Sequence, residues 1–257
     1  MTDQSGGMLD GMLFRGAMKR WAKAAREADA TDLPALRKQR GRARRLRQHL
    51  ERLIHVAENR LALPLIGGDA FQLPHDTDWA WRPAVWSGPL PKPGASSVES
   101  KTMLGQEVTL FHDCSISELT LRQLRNVREA DLAPFGLRMD VFRFDGSYLS
   151  LAIDLPESAS NGLRRKHLLR IETRVEMEKP LEIFARLNIK HGPNTEQIVR
   201  ELPLGQDEVV VEFDLAYTKL NEKRIERLWL DLIFEGPEMN QVVLRDLTFS
   251  RRPRAEL

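Results

Sequence analysis

Between residues 108 and 250 polar and apolar residues alternate in short runs, and turn-forming residues close most of these runs. A period of two sends successive side chains to opposite faces of a strand, so each run buries one face and wets the other. LLRIETRVEM, residues 168–177, sets Leu169, Ile171, Thr173 and Val175 against Arg170, Glu172, Arg174 and Glu176. LEIFARLNIK, residues 181–190, sets Leu181, Ile183, Ala185, Leu187 and Ile189 against polar residues and Phe184. VTLFHDC, LTLRQL, EVVVEFDL, RLWLDLIFE and QVVLRDLTFS read the same way. DVFRFDGSYLSLAIDL, residues 140–155, reads as two strands around Asp145-Gly146, a pair suited to a hairpin turn. Eight or nine strands at this spacing predict a mainly β chain folded as an antiparallel sandwich or barrel. The alternating strand and helix order of doubly wound and barrel α/β folds is absent.

The first 62 residues follow a different period. Leu13, Phe14, Ala17, Trp21, Ala24, Ala25 and Ala28 fall on one stripe of a helix over residues 9–28. Thr31 or Asp32 caps a second helix, and Pro34 is tolerated in its first turn. Ala43, Leu46, Leu50, Leu53 and Ala57 step by 3, 4, 3 and 4, which is a heptad seam. Pro64 and Gly67-Gly68 end that helix. Residues 63–107 are rich in Pro, Gly and Trp and read as an extended segment laid over a body, with Trp79, Trp81 and Trp86 as anchors.

Charge divides along the same line. Residues 1–62 hold 14 Lys/Arg against 7 Asp/Glu, a net of +7, while the remainder nets −5. Arg37, Lys38, Arg40, Arg42, Arg44, Arg45 and Arg47 stand in one run without an acid. Such a run suits an acidic protein partner, nucleic acid or an anionic membrane surface. A solvated helix face is the plainer reading, and the run carries no interleaved aromatic for sequence-specific DNA reading.

Chemistry-bearing motifs are few. Cys114 is the sole cysteine, so no internal disulfide forms. His112, Asp113 and Cys114 form a compact reactive run, yet His112 and Cys114 share one strand face and Asp113 takes the other. The six histidines show no metal-ligand spacing; His75 with Asp76 and Asp78 reads as turn chemistry. GxxxxGK[ST], GxGxxG and GxSxG are all absent, so nucleotide chemistry has no support and no cofactor is expected. No apolar run of membrane-spanning length occurs, and the first twenty residues lack an export-signal core, so the expected location is cytoplasmic.

The stretches FHDCSISELTLRQLRNVREADLAPFGLRMDVFRFDGSYLSLAIDLP, EKPLEIFARLNIKHGPNTEQIVRELPL and QVVLRDLTFSRRPRAEL resemble an uncharacterised family of alphaproteobacterial proteins of unknown function, over residues 79–257. That resemblance implies no activity and no functional residue. The closing VVLRDLTFSRRP is more loosely similar to the last strand of carbohydrate-binding modules and galactose-binding-like jelly rolls. The likeness is one of fold, from which function does not follow.

The expected architecture is a basic amphipathic helical arm (residues 1–62), a Trp/Pro-rich wrap (63–107) and a jelly-roll-like β-sandwich (108–257). The expected function is a non-catalytic binding or assembly protein, whose helices engage a protein partner or a second copy. One alternative is a glycan-binding module using the strand face of Phe184, Arg186, Asn188 and Lys190. Two others are nucleic-acid or anionic-membrane binding through the basic run, and a Cys/His-dependent enzyme centred on His112, Asp113 and Cys114.

Overall fold

The computed structural model describes residues 5–62, 73–128, 131–206 and 208–254. The chain divides into two compact units, Met1–Ile54 and His55–Leu257.

In the first unit, α1 (Ser5–Arg26) is followed by a short 3-10 turn, and α2 (Leu33–Ala62) begins there and runs past the unit's end. Asp32 caps α2, its Oδ1 accepting the backbone N–H of Ala35 at 2.9 Å. Ala17, Trp21, Ala24 and Ala28 are half-buried, as are Ala35, Leu36 and Ala43. Leu13, Phe14, Leu46, Leu50 and Leu53 are exposed. Pro64 and Gly67-Gly68 lie outside the described residues.

Among the described residues the second unit holds thirteen strands: β1 (Trp79–Trp81), β2 (Gly94–Ser96), β3 (Thr102–Leu104), β4 (Val108–His112), β5 (Leu119–Arg125), β6 (Phe135–Val141), β7 (Leu149–Asp154), β8 (His167–Met177), β9 (Ile183–His191), β10 (Asn194–Glu201), β11 (Val209–Asp214), β12 (Ile225–Phe234) and β13 (Asn240–Pro253). One sheet runs β11-β8-β13-β6-β5-β2, with β1 added on β13; the other runs β10-β9-β12-β7-β4-β3. Pairs between these strands are antiparallel throughout.

Four nested pairings define the topology. β9 pairs β10, β8 pairs β11, β7 pairs β12 and β6 pairs β13. The last eight strands therefore form one long hairpin, whose successive rungs belong alternately to the two sheets. That is jelly-roll connectivity. The tip of the hairpin is Gly192-Pro193, where Gly192 takes φ +59°, a value open to glycine at the first central position of a II′ turn.

The inner faces supply the core. Leu169 and Ile171 of β8, Ala185, Leu187 and Ile189 of β9, Leu230 and Leu232 of β12, and Leu247 and Phe249 of β13 are all buried, as the alternation demands. Strand β10, whose residues are mostly exposed, has no apolar rhythm and escapes sequence reading.

One expectation is corrected. Asp145-Gly146 does not turn a hairpin, because β6 and β7 lie in different sheets and the loop between them passes from one sheet to the other. The loop is held by side chains. Asp113 accepts from the Ser147 N–H at 2.7 Å and the Ser147 hydroxyl at 2.6 Å, and Asp145 accepts from the Ser115 N–H at 3.1 Å. Gly146 leaves room for these bonds, since a Cβ there would stand 2.6 Å from Asp113 Oδ1 and displace the carboxylate.

The tryptophan segment lies against β13. Trp79 to Trp81 pair with Arg251 to Phe249, and the Trp81 and Phe249 rings stand 5.4 Å apart. Trp86 is wholly buried, and its indole N–H donates to the Leu244 carbonyl at 2.9 Å.

Candidate functional site

Strands β9, β10 and β12 build the face that carries Phe184, Arg186, Asn188 and Lys190. Asn188 stands opposite Gln197 on β10 and Trp229 on β12. Arg186 stands opposite Val199 and Asp231, and Phe184 opposite Glu201 and Ile233. Strand pleating puts all of these on the outer side of the sheet.

Asp231 organises them. It is only 6% exposed, and its Oδ2 accepts from Arg186 Nε at 3.0 Å, Arg186 Nη2 at 2.8 Å and Asn188 Nδ2 at 2.9 Å. Asn188 is fully buried; its Oδ1 accepts from Gln197 Nε2 at 2.9 Å and its Nδ2 also donates to the Arg186 carbonyl. The four planar groups form one connected network, which pins their rotamers. Trp229 lies half-buried beside it, with the Arg227 guanidinium 5.1 Å above its ring centroid and Arg227 itself paired to Asp154. Lys190 Nζ is 2.9 Å from Glu226. On β7 Asp154 stands opposite Trp229 and Ala152 opposite Asp231, with Thr109 of β4 beyond Ala152, so small side chains follow Asp231.

Sequence reading found Phe184, Arg186, Asn188 and Lys190 because they share a strand. It did not find Asp231, Trp229 or Gln197, which strand register alone brings to them. The signal for two of them was present in RLWLDLIFE, where Trp229 and Asp231 break an otherwise aliphatic run.

His112, Asp113 and Cys114 come out as structure. The Cys114 backbone N–H donates to His112 Nδ1 at 3.2 Å, so the ring proton sits on Nε2 and faces the Val98 carbonyl at 2.8 Å. The ring is thus spent on backbone groups, and partial burial raises the Cys114 thiol above its usual range. Asp78 is drawn away from His75 and Asp76 to Arg251 Nε, 2.9 Å distant. Among the described residues, no three His, Cys, Asp or Glu side chains are grouped to hold a metal ion.

In the first unit Arg37, Lys38, Arg40, Arg42, Arg44, Arg45 and Arg47 are all exposed along α2. Among the described residues, no helix is long and apolar enough to cross a membrane.

Topology and sheet faces together define a jelly-roll β-sandwich preceded by a basic helical segment. Within that class the chain belongs to a family of unknown function, DUF6478, whose sequence profile matches residues 1–257. No curated protein matches the chain. Among solved structures it is similar to the enzymatically active domain of tailspike protein 4 of bacteriophage CBA120, with 7% identity and a TM-score of 0.41 over 55% of this chain and 19% of that one. It is also similar to a family 11 carbohydrate-binding module of Clostridium thermocellum, solved with a β-1,3-1,4-mixed-linked tetrasaccharide. That match has 12% identity and a TM-score of 0.39 over 64% of this chain and 97% of the module. A third is the CBM22-1 xylan-binding domain of Paenibacillus barcinonensis Xyn10C, with 11% identity and a TM-score of 0.35 over 63% and 94%. With TM-scores below 0.5, none of these likenesses bears on function.

Proposed function

We propose that the protein is a non-catalytic, cytoplasmic binding protein whose sandwich presents the β9–β12 face to a saccharide. The Asp231-centred network beside Trp229 carries the reading. A sugar ring offers an apolar C–H face and a rim of hydroxyls. A half-buried indole suits the first, and planar polar groups suit the second. Because Asp231 and Asn188 already hold Arg186 and Gln197, a ligand would find them ordered and cost little further side-chain entropy. In this reading Phe184, Arg186 and Lys190 meet the ligand, and the buried Asn188 acts through Gln197.

Affinity electrophoresis of the full chain in gels holding mixed-linkage glucan, xylan or galactan tests it. Retardation in at least one gel is expected, lost in Trp229→Ala and reduced in Lys190→Ala, whose side chain is exposed, while the thermal midpoint of each variant stays near that of the parent. Equal mobility in all gels would overturn the reading.

The first unit favours a second role. Leu46, Leu50, Leu53 and Ile54 are 39–64% exposed on α2, next to the exposed cations. A solvated apolar seam of this kind suits a protein partner or a second copy better than water. Light scattering checks self-association: a mass above one chain, falling to one chain in Leu50→Glu/Leu53→Glu, is expected. A single-chain mass at high protein concentration would remove the second copy and leave an external partner.

A further inference from the structure

The other sheet carries a pocket of its own. It has a volume of about 530 Å³ and is lined by β2, by Thr120 and Arg122 of β5, by Arg138 and Asp140 of β6, and by Phe142. Arg122 and Arg138 are directly opposed across β5 and β6. Like charges in that position repel, so the pair is a local cost to the fold. Asp140 offsets it at one end. It accepts from Arg138 Nε at 2.7 and 3.0 Å on its two oxygens, and from the Thr120 hydroxyl at 2.9 Å. Burial raises the Asp140 carboxyl, but the bonds from Arg138 and Thr120 and the charges of Arg138 and Arg122 outweigh it and hold the group below its usual range. The pocket therefore contains two guanidinium charges and one carboxylate. Arg122 is exposed, and its charge acts on Asp140 through space, whereas Arg138 is hydrogen-bonded to it.

The remaining walls narrow the ligand. Phe142, at the rim, is 51% exposed. Strand β2 closes one side, and it can approach because residue 94 is glycine: a Cβ there would stand 2.9 Å from the Leu121 carbonyl. We propose that this pocket binds a sugar that carries a carboxylate, a hexuronate unit of an acidic polysaccharide. The Arg122 fork takes the carboxylate in the two-bond geometry that guanidinium and carboxylate share. Phe142 covers the apolar face of the ring. Asp140 and the Thr120 hydroxyl accept from ring hydroxyls. The same Asp140 repels a dianion, which favours a singly charged carboxylate over phosphate or sulfate. This site is on the sheet opposite Trp229 and stands independently of the saccharide reading given for that face.

Calorimetric titration of the full chain with trigalacturonate, and with galactotriose as the neutral counterpart, tests it. Trigalacturonate binding is expected to weaken about tenfold or more in Arg122→Gln, the scale of one lost charge-assisted pair. It should weaken several-fold in Phe142→Ala and stay unchanged in Trp229→Ala. Arg122 is exposed and opposes a like charge, so Arg122→Gln should fold at least as well as the parent. Absence of trigalacturonate binding, or equal binding by Arg122→Gln, would overturn the proposal. So would inorganic phosphate or sulfate binding as tightly as trigalacturonate, since that marks an unselective cationic patch. Loss in Trp229→Ala with retention in Arg122→Gln would also overturn it, while leaving the saccharide reading of the other face standing.

Discussion

Gln123 is 8% exposed and spends its entire amide on the tryptophan segment. Its Nε2 donates to the Val85 and Gly88 carbonyls, each at 2.7 Å, and its Oε1 accepts from the Leu90 N–H at 2.9 Å. Gln123→Glu keeps the shape but removes both donors and turns a charge toward two carbonyls. We expect it to cost about 2–4 kcal/mol in chemical denaturation, the scale of lost buried hydrogen bonds plus an unpaired charge. A change below half a kilocalorie would contradict the clamp. Glu172, on the outer row of β8, behaves differently. Burial raises its carboxyl from an ordinary 4.5 to about 7, and hydrogen bonding with Glu208 adds to this against the pull of Arg170. The folded chain thus holds a proton that the unfolded chain has released, and stability falls as pH rises from about 4.5 to about 7. Glu208, lowered by the same hydrogen bond with Glu172, acts in the opposite sense at the acidic end. Glu172→Gln should flatten the decline of the thermal midpoint between pH 5 and 7. An unaltered slope would assign the proton elsewhere.

At the scale of elements, the bulge in β13 decides how the tryptophan segment attaches. The ladder between β13 and β8 shifts register between Leu244 and Asp246. A bulge leaves backbone groups without ladder partners. Here side chains supply them. The Trp86 indole takes the Leu244 carbonyl, Asn126 Nδ2 takes that of Arg245 at 2.8 Å, and the Thr173 hydroxyl takes that of Asp246 at 2.7 Å. Arg82 then pairs with the Asp246 carboxylate through Nε at 2.9 Å and Nη2 at 2.8 Å. Burial raises the Asp246 carboxyl, and Arg82 opposes that rise. Arg82→Met leaves a buried acid offset only by the Leu247 N–H and the more distant Arg174 charge and should cost about 3–5 kcal/mol, whereas Arg82→Met with Asp246→Leu should recover most of it. Equal losses in the single and double variants would show that the pair contributes packing and not charge balance. Trp86 was legible as an anchor because a large ring in a Pro-rich stretch has few other uses. Asn126, Thr173 and Arg82 were not, because a bulge is created by strand register and is invisible to local pattern.

For the whole molecule, the long hairpin from β6 to β13 is built on pairings distant in sequence, such as Leu137 with Leu244. Such topology folds slowly, since loop closure precedes the contacts that reward it. All thirteen strands of the described residues fall within His55–Leu257. A chain beginning at His55 should therefore unfold in one cooperative transition, with a midpoint within about 2 °C of the full chain. A lower midpoint would make the basic helices part of the sandwich's stability. Alternation from residue 108 onward by itself determined that strands form, which of their faces are buried and that the class is antiparallel β, because burial of one pleated face is a local consequence of a period of two. The Asp32 cap and the two amphipathic helices were equally local. Tertiary structure alone decided which strands neighbour one another, that Asp145-Gly146 crosses between sheets, and that Asp231, Trp229 and Gln197 join Arg186 and Asn188. The reason is physical: side-chain period records which face is wet, and carries no record of which strand will lie beside it.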